Sequence, residues 1–309
     1  GELDALAAAA DLLLVHEAEL QRRTAGLLRS GVSYPVARAR VFAELTGKSS
    51  EVLAAPNNVL GIAYLKALWR HRSPIVPQTL RRLGAGYNDL EAAGEIASAS
   101  GIRHLLSTGE PVLRYLPGPV QLPFLRALNR GAHLDVGNLH RLLLARILRG
   151  PESLQGLYLV EDGVETRLFE AALASGSYEE LVVAGKARHA TRTRLQRMLA
   201  HVLNETSSSE MEDFLAAGPL YLHLLGASRR GRRFLAACRK SLALPLVGNF
   251  SRVQAILKHR YGAGSENCRL AERMLACELR ATRNHTLLLR EWGGNRNRDY
   301  FEEIRSVGA

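Results

Sequence analysis

Apolar residues recur at three- and four-residue intervals through most of this chain, the spacing of amphipathic helices. Leu6, Ala9, Leu13, Ala18, Leu20 and Leu27 form one stripe and predict a single helix from Ala5 to Leu28, closed by Gly31. The turn Gly31-Val32-Ser33-Tyr34-Pro35 leads to a second helix, about Val36 to Leu45. Pro56 disfavours helix in the residue before it, which places Asn57-Asn58 in a break ahead of a third helix, Val59 to Trp69. Two short strands are predicted next, Pro74 to Val76 and Gln78 to Leu83. The loop Gly84-Ala85-Gly86-Tyr87 follows, and a strand-to-helix alternation then runs into a serine loop at 98–100. Leu116-Pro117-Gly118-Pro119 marks a domain boundary. Beyond it the pattern is helical almost throughout: Leu122 to Asn129, Leu139 to Leu148, Glu165 to Ala174, Thr193 to Leu203, Arg230 to Cys238 and Ser251 to His259. Ser207-Ser208-Ser209 reads as a loop, and neither an internal repeat nor a low-complexity tract interrupts the pattern.

Composition narrows the class. A chain of 309 residues, 47% hydrophobic, can build the cores of two domains. No apolar run reaches the roughly 18 residues of a membrane span. The apolar start, Leu6 to Val15, is broken by Asp11 and lacks the basic flank of a signal peptide. Cys238, Cys268 and Cys277 are odd in number and widely spaced, which fits a reducing cytoplasm and no disulfide framework. The ten histidines are scattered, so no structural metal is expected. The formal charge of +11 is uneven: residues 1–115 carry 13 basic against 11 acidic side chains, residues 116–309 carry 28 against 19. Phe214 to Arg260 holds nine basic residues and no acidic one. A basic C-terminal half suits a polyanion, most simply nucleic acid.

Three places carry candidate chemistry. In Ile96-Ala97-Ser98-Ala99-Ser100-Gly101-Ile102-Arg103, two hydroxyls precede a helix start, with an arginine one turn in. That order suits either a plain helix cap or an anion site made of Ser98, Ser100, the terminal amides and Arg103. On the helix Thr193 to Leu203, Arg194, Arg197 and His201 fall within an arc of about 60°, opposite Leu195, Leu199, Val202 and Leu203. Arg188 and Arg192 would project onto the apolar side, so that helix is expected to begin near Thr191, with Lys186 in the preceding loop. The third place is Gly226 to Arg233, where Arg229, Arg230, Arg232 and Arg233 surround a glycine turn. Both basic faces fit phosphate contacts or a merely solvated surface. Tyr221, His223 and Phe234 nearby fit base stacking or core packing. Neither a Ser-His-Asp set nor a phosphate-binding G-x-x-x-x-G-K loop can be assembled, so no catalytic acid or base is assigned.

Taken in order, these segments resemble one family. Pro56-Asn57-Asn58-Val59-Leu60-Gly61-Ile62-Ala63-Tyr64-Leu65 is similar to its PNN-[IV]-LG-x-x-Y segment. Arg82-Leu83 with Tyr87-Asn88-Asp89 is similar to its R-[IL]-x-x-x-Y-[HN]-D segment. Ile96 to Arg103 resembles I-A-S-A-[ST]-x-I-R, itself like the second signature of the HIGH-type nucleotidyltransferases. Asp162-Gly163-Val164-Glu165-Thr166-Arg167 resembles E-G-x-E-x-R with Asp162 in place of the first glutamate. Lys186 to Arg197 and Tyr221 to Arg233 also align by eye. The family is the bacterial tRNA(Met) cytidine acetate ligases, and the likeness runs over nearly the whole chain.

The resemblance implies an α/β plus α architecture: the C-terminal part of a Rossmann-like nucleotidyltransferase domain (1–116), then a mainly helical basic tRNA-binding domain (117–309). It implies that ATP, with Mg2+, activates acetate as acetyl-adenylate. The acetyl group then passes to the wobble cytidine of elongator tRNA(Met). It places ATP at Asn57, Arg82 and Leu83, with Ser98, Ser100 and Arg103 on the phosphate side, and tRNA on the basic helices. No H-x-G-H, the family's N-terminal signature, occurs in these residues. Gly1 then aligns partway through the nucleotide-binding domain, and the isolated chain is expected to lack ligase activity. The alternative is a non-catalytic RNA-binding protein derived from the family. A metabolic nucleotidyltransferase fits the large basic half less well.

Overall fold

In the computed structural model, residues 2–80, 94, 96–186, 191–291, 294, 296–301 and 304–306 are described. Two compact units divide between Gln121 and Leu122, within the helix α6 (Gly118–Asn129).

The first unit is built on α1 (Leu3–Val15), α2 (Glu17–Arg29), α3 (Tyr34–Thr46), α4 (Pro56–Arg70) and α5 (Ala99–Ser107). The single helix expected from Ala5 to Leu28 is two, broken at His16. Tertiary packing decides the break: α1 lies on α4 while α2 lies on α3. Directly after the break, Glu17 accepts Lys66 Nζ at 2.9 Å and also pairs with Arg70, which ties the start of α2 to α4. Leu6, Ala10, Leu13, Phe42, Ile62 and Leu65 close the core between them.

Asn57 and Asn58 lie in the first turn of α4 rather than in a break, because Pro56 occupies the first helical position. The restriction falls on Ala55, which is extended at ψ 126°. The expected strand Pro74 to Val76, and the described part of Gln78 to Leu83, are irregular; Ile75, Val76 and Leu80 are exposed. Pro74 and Pro77 remove the ladder donors such strands need. Residues 81–93, with Arg82, Leu83 and the 84–87 loop, lie outside the described residues. Helix α6 begins four residues before the expected Leu122, and Pro123 therefore sits in its interior.

The second unit contains α7 (Val136–Ile147), α8 (Val164–Ala174), α9 (Tyr178–Gly185), α10 (Arg192–Leu203) and α11 (Ser208–Ala217). After these come β1 (Leu222–His223), β2 (Gly226–Ala227), α12 (Arg229–Cys238), β3 (Leu246–Val247), α13 (Val253–Tyr261), α14 (Glu266–Leu288) and β4 (Arg305–Ser306). One core joins α7, α8, α9 and α10 through Leu143, Ile147, Leu168, Leu181, Leu195 and Leu199. The other gathers Val247, Phe250, Leu257, Ala271, Leu275 and Leu279 around α13 and α14. The α/β character thus appears where a helical domain was expected. Two parallel strand pairs, β1 with β3 and β2 with β4, lie in this unit, and α12 is the crossover between β1 and β3. Ser207-Ser208-Ser209 is a helix start, not a loop: Ser207 and Glu210 form a reciprocal capping box on α11. Gly163 adopts φ +82°, left-handed backbone that suits the Asp162-Gly163 pair opening α8. Among the described residues no helix is long and apolar enough to cross a membrane.

The two cations hold the Glu17 carboxyl down at about 2 from its ordinary 4.5, chiefly through the hydrogen bond from Arg70 and then that from Lys66. A depressed carboxylate stabilises the fold above its unfolded value and loses that contribution as pH falls toward the folded one. Glu17→Gln should therefore weaken the first unit by about 1 kcal/mol near neutral pH. Amide exchange of α1 and α4 in both proteins reads this, and the gap between them should close between pH 4.5 and about 2. A gap that stays constant through that window would contradict the role given to Glu17.

Candidate functional site

In the first unit, α4 and α5 each present a helix N-terminus. Asn57 is exposed in the first turn of α4. Ser98 is the cap of α5: it is buried, and its Oγ accepts the Gly101 N–H at 2.9 Å. Its role as a helix cap is thereby settled, while Ser100 lies half-buried one residue inside the helix. Arg103 projects from the exposed side of α5. Neither Asn57 nor Arg103 makes a side-chain hydrogen bond or ion pair among the described residues, which leaves both able to meet a ligand. The remaining expected ATP contacts, Arg82 and Leu83, lie outside the described residues.

In the second unit, α10 begins at Arg192 with Thr191 as its cap, as the wheel of apolar positions required. Leu195, Met198, Leu199 and Val202 are buried, and Arg194 and Arg197 stay on the outer face. That face is less free than its sequence suggests. Arg194 is paired with Glu161, and Arg192 is bound by both oxygens of Glu179 at 2.5 and 2.6 Å. His201 packs edge-on against Tyr158 with ring centroids 4.9 Å apart. Burial first, and the nearby Arg197 charge second, lower its pKa below 6.5. His201 is therefore a neutral ring near pH 7, a hydrogen-bonding and stacking group rather than a cation. Lys186 ends α9 and is exposed, while 187–190 lie outside the described residues.

Helix α12 differs. Ser228 caps it by accepting the Gly231 N–H at 3.0 Å, which allows the helix to begin inside the arginine run. Arg229, Arg230, Arg232 and Arg233 are exposed, and none pairs with a carboxylate among the described residues. No residue of α12 is buried, and Phe234 stands 66% exposed beside the arginines, so it is not core. Tyr221 and His223, by contrast, are fixed structurally. Both are held by Glu278: the Tyr221 hydroxyl donates to Oε2 at 2.5 Å, and His223 Nδ1 lies 2.8 Å from Oε1. Burial and that carboxylate push the Tyr221 hydroxyl well above its usual range. The His223 ring stacks on Phe250 with centroids 4.3 Å apart.

Sequence reasoning missed Glu278 because it passed over α14, although Ser265 followed by Cys268, Ala271, Leu275 and Leu279 has the spacing of a capped, half-buried helix. It also missed Glu161 and Glu179, whose pairing with α10 arises only from the fold. Among the described residues, no three His, Cys, Asp or Glu side chains gather as a metal-binding group.

Comparison with known proteins defines the class first: a sequence model described as HIGH Nucleotidyl Transferase matches residues 1–299. A tRNA(Met) cytidine acetate ligase of Syntrophotalea carbinolica is 49% identical over 306 residues, covering 98% of this chain and 73% of that protein. The chain belongs to the tRNA(Met) cytidine acetate ligase family of nucleotidyl transferases. The crystal structure of Thermotoga maritima TmcAL (apo, form I) shares the fold, with TM-score 0.86 at 23% identity over 99% of this chain and 75% of that one. A second structure, of Thermotoga maritima TmcAL bound with alpha-thio ATP, gives 0.83 at the same identity.

The environment of His201 is testable by NMR titration of its ring. Its midpoint should fall below 6.5, and Arg197→Ala should raise it slightly while leaving it depressed, because burial is the larger cause. A midpoint at or above 6.5 in the unaltered protein would contradict the neutral reading.

Proposed function

We propose that this chain serves a tRNA(Met) cytidine acetate ligase: ATP activates acetate as acetyl-adenylate with release of pyrophosphate, and the acetyl group passes to the exocyclic amine of the wobble cytidine, forming N4-acetylcytidine. Kinship with the family supports the reaction. The observation that carries the RNA half is the run of four exposed, unpaired arginines opening α12. Guanidinium groups without carboxylate partners keep their full attraction for phosphates, and no internal ion pair has to break when RNA binds. Arg197 extends the basic surface of the second unit, with Lys186 at the end of α9. Arg194 joins it only by leaving Glu161, and His201 as an uncharged ring.

In the first unit we assign ATP to Asn57, Arg82, Leu83, Ser98, Ser100 and Arg103. Negative charge grows on the departing pyrophosphate during adenylate formation, and a guanidinium with helix-terminal amides stabilises it. Ser98 contributes by fixing the α5 terminus, so that the amides rather than its Oγ lone pair face the anion. Mg2+ would arrive with the nucleotide and neutralise its phosphates. Since H-x-G-H is absent from these 309 residues, we expect them by themselves to hold tRNA without forming acetyl-adenylate.

Two measurements decide. Filter binding of tRNA(Met) across a salt series should give a steep slope. Replacing Arg229, Arg230, Arg232 and Arg233 by Ala should flatten it by about 3, the loss expected for three to four phosphate contacts. Arg194→Ala should change it less, because that charge is already partly neutralised. An unchanged slope in the four-arginine variant removes α12 from the RNA surface. Incorporation of labelled acetate into tRNA(Met) by the isolated chain would overturn the expectation of inactivity. Tight tRNA binding that persists with no acetylation, even when the chain is supplied with an H-x-G-H-containing segment from a relative, would favour the non-catalytic RNA-binding reading.

A further inference from the structure

Two hollows of the second unit meet at Gly248, just past the end of β3. One, of about 430 Å3, is bordered by Leu235 and Arg239 of α12 together with Asn249 and Arg252. The other, of about 280 Å3, is lined by His223, Phe250, Asp299 and Arg305, with Leu224 and Leu225.

The smaller hollow has the character of a built site. Its aromatic wall is rigid: the rings of His223 and Phe250 are stacked, and Tyr300 meets Phe250 edge-on with centroids 5.4 Å apart. Glu278 anchors His223 from behind through Nδ1. The opposite character belongs to Asp299, whose Oδ2 is buried and has no hydrogen-bond partner among the described residues. An acceptor removed from water without a donor is unfavourable, and a carboxylate oxygen especially so. Flat aromatic lining, one unsatisfied acceptor and arginines close by describe a particular guest. It is planar, it offers an N–H, and it is attached to an anion.

We propose that this hollow receives an unstacked RNA base carrying an exocyclic amine, with the amine donating to Asp299 Oδ2 while Arg239 and Arg252, across Gly248, meet the flanking phosphates. The assignment rests on the reading of this unit as RNA-binding and adds base selectivity to it. Cytosine, adenine and guanine present such an amine; uracil presents carbonyl oxygens on either side of its one N–H and is repelled by a carboxylate. RNA loops commonly surrender single bases to aromatic slots of this kind. The hollow therefore selects bases, whereas the four arginines of α12 grip phosphates irrespective of sequence.

Fluorescence anisotropy of the full chain with 5′-labelled pentacytidylate and pentauridylate, at one fixed salt concentration, tests this. The cytidine oligomer should bind about tenfold more tightly. Asp299→Asn should bring the two within about twofold of each other, since an amide offers a donor as well as an acceptor. The four-arginine variant should weaken both oligomers alike and keep their ratio. Equal affinities in the unaltered chain would overturn the pocket, as would a cytidine preference that survives Asp299→Asn. If Asp299→Asn fails to fold, as judged by its circular-dichroism melt, the ratio in the unaltered chain decides alone. Failure of the RNA reading looks different: neither oligomer binds, and tRNA binding shows no salt dependence.

Discussion

Charge without a local counter-charge governs the second unit. Four guanidinium groups crowd the first five residues of α12, within the roughly 8 Å over which physiological salt lets charges feel one another. Helix macrodipoles favour anions at this end and cations at the other, so the arginines also oppose the backbone field. No buried residue of α12 offsets that repulsion. The helix is held instead by its cap at Ser228 and by its place as the crossover between β1 and β3. A segment under such electrostatic load is stabilised by a polyanion, and the cost of assembling the positive surface is recovered when phosphates arrive.

The contrast with α10 shows how the same residue type takes different roles. Arg192 and Arg194 lie on a helix whose apolar face is fully packed, and each is matched to a carboxylate from an adjoining element. Those pairs orient α10 against its neighbours and lower its net field. The unpaired arginines of α12 do neither. Binding and framework functions of arginine are thus divided between two helices that look alike in composition. Tyr221, His223 and Glu278 add a third use of polar groups. There a carboxylate on the longest helix fixes two side chains from the β1 segment, and so stiffens the wall of the hollow beside it.

The first unit shows the same dependence of local structure on distant partners. Nothing in the residues around His16 stops a helix, and the apolar stripe from Leu6 to Leu27 continues through it. The chain turns there because α1 and α2 bury their faces against different helices. Glu17, first residue of α2, satisfies two cations on α4. In the other direction, the proline at 56 was legible as punctuation but not in its sense: it begins a helix and displaces the irregular backbone to Ala55. At 74–80 the apolar residues suggested strands, yet prolines at 74 and 77 withhold the donors that a ladder would use.

Sequence alone determined what depends on periodicity, composition and local chemistry. It gave the amphipathic faces of α7, α8 and α10, the serine cap before Gly101, the imbalance of charge toward the C-terminal half, and the ordered segments that resemble the ligase family. Those features are carried within a turn or two of chain, or by sums over it. Which arginines are neutralised, where the short parallel strands pair, that His201 is uncharged, and that Asp299 faces a hollow beside Phe250 and His223 were decided only by tertiary structure. Each depends on groups tens of residues apart in sequence, brought close by burial of apolar surface, and Coulomb and hydrogen-bond energies follow distance in space rather than separation along the chain.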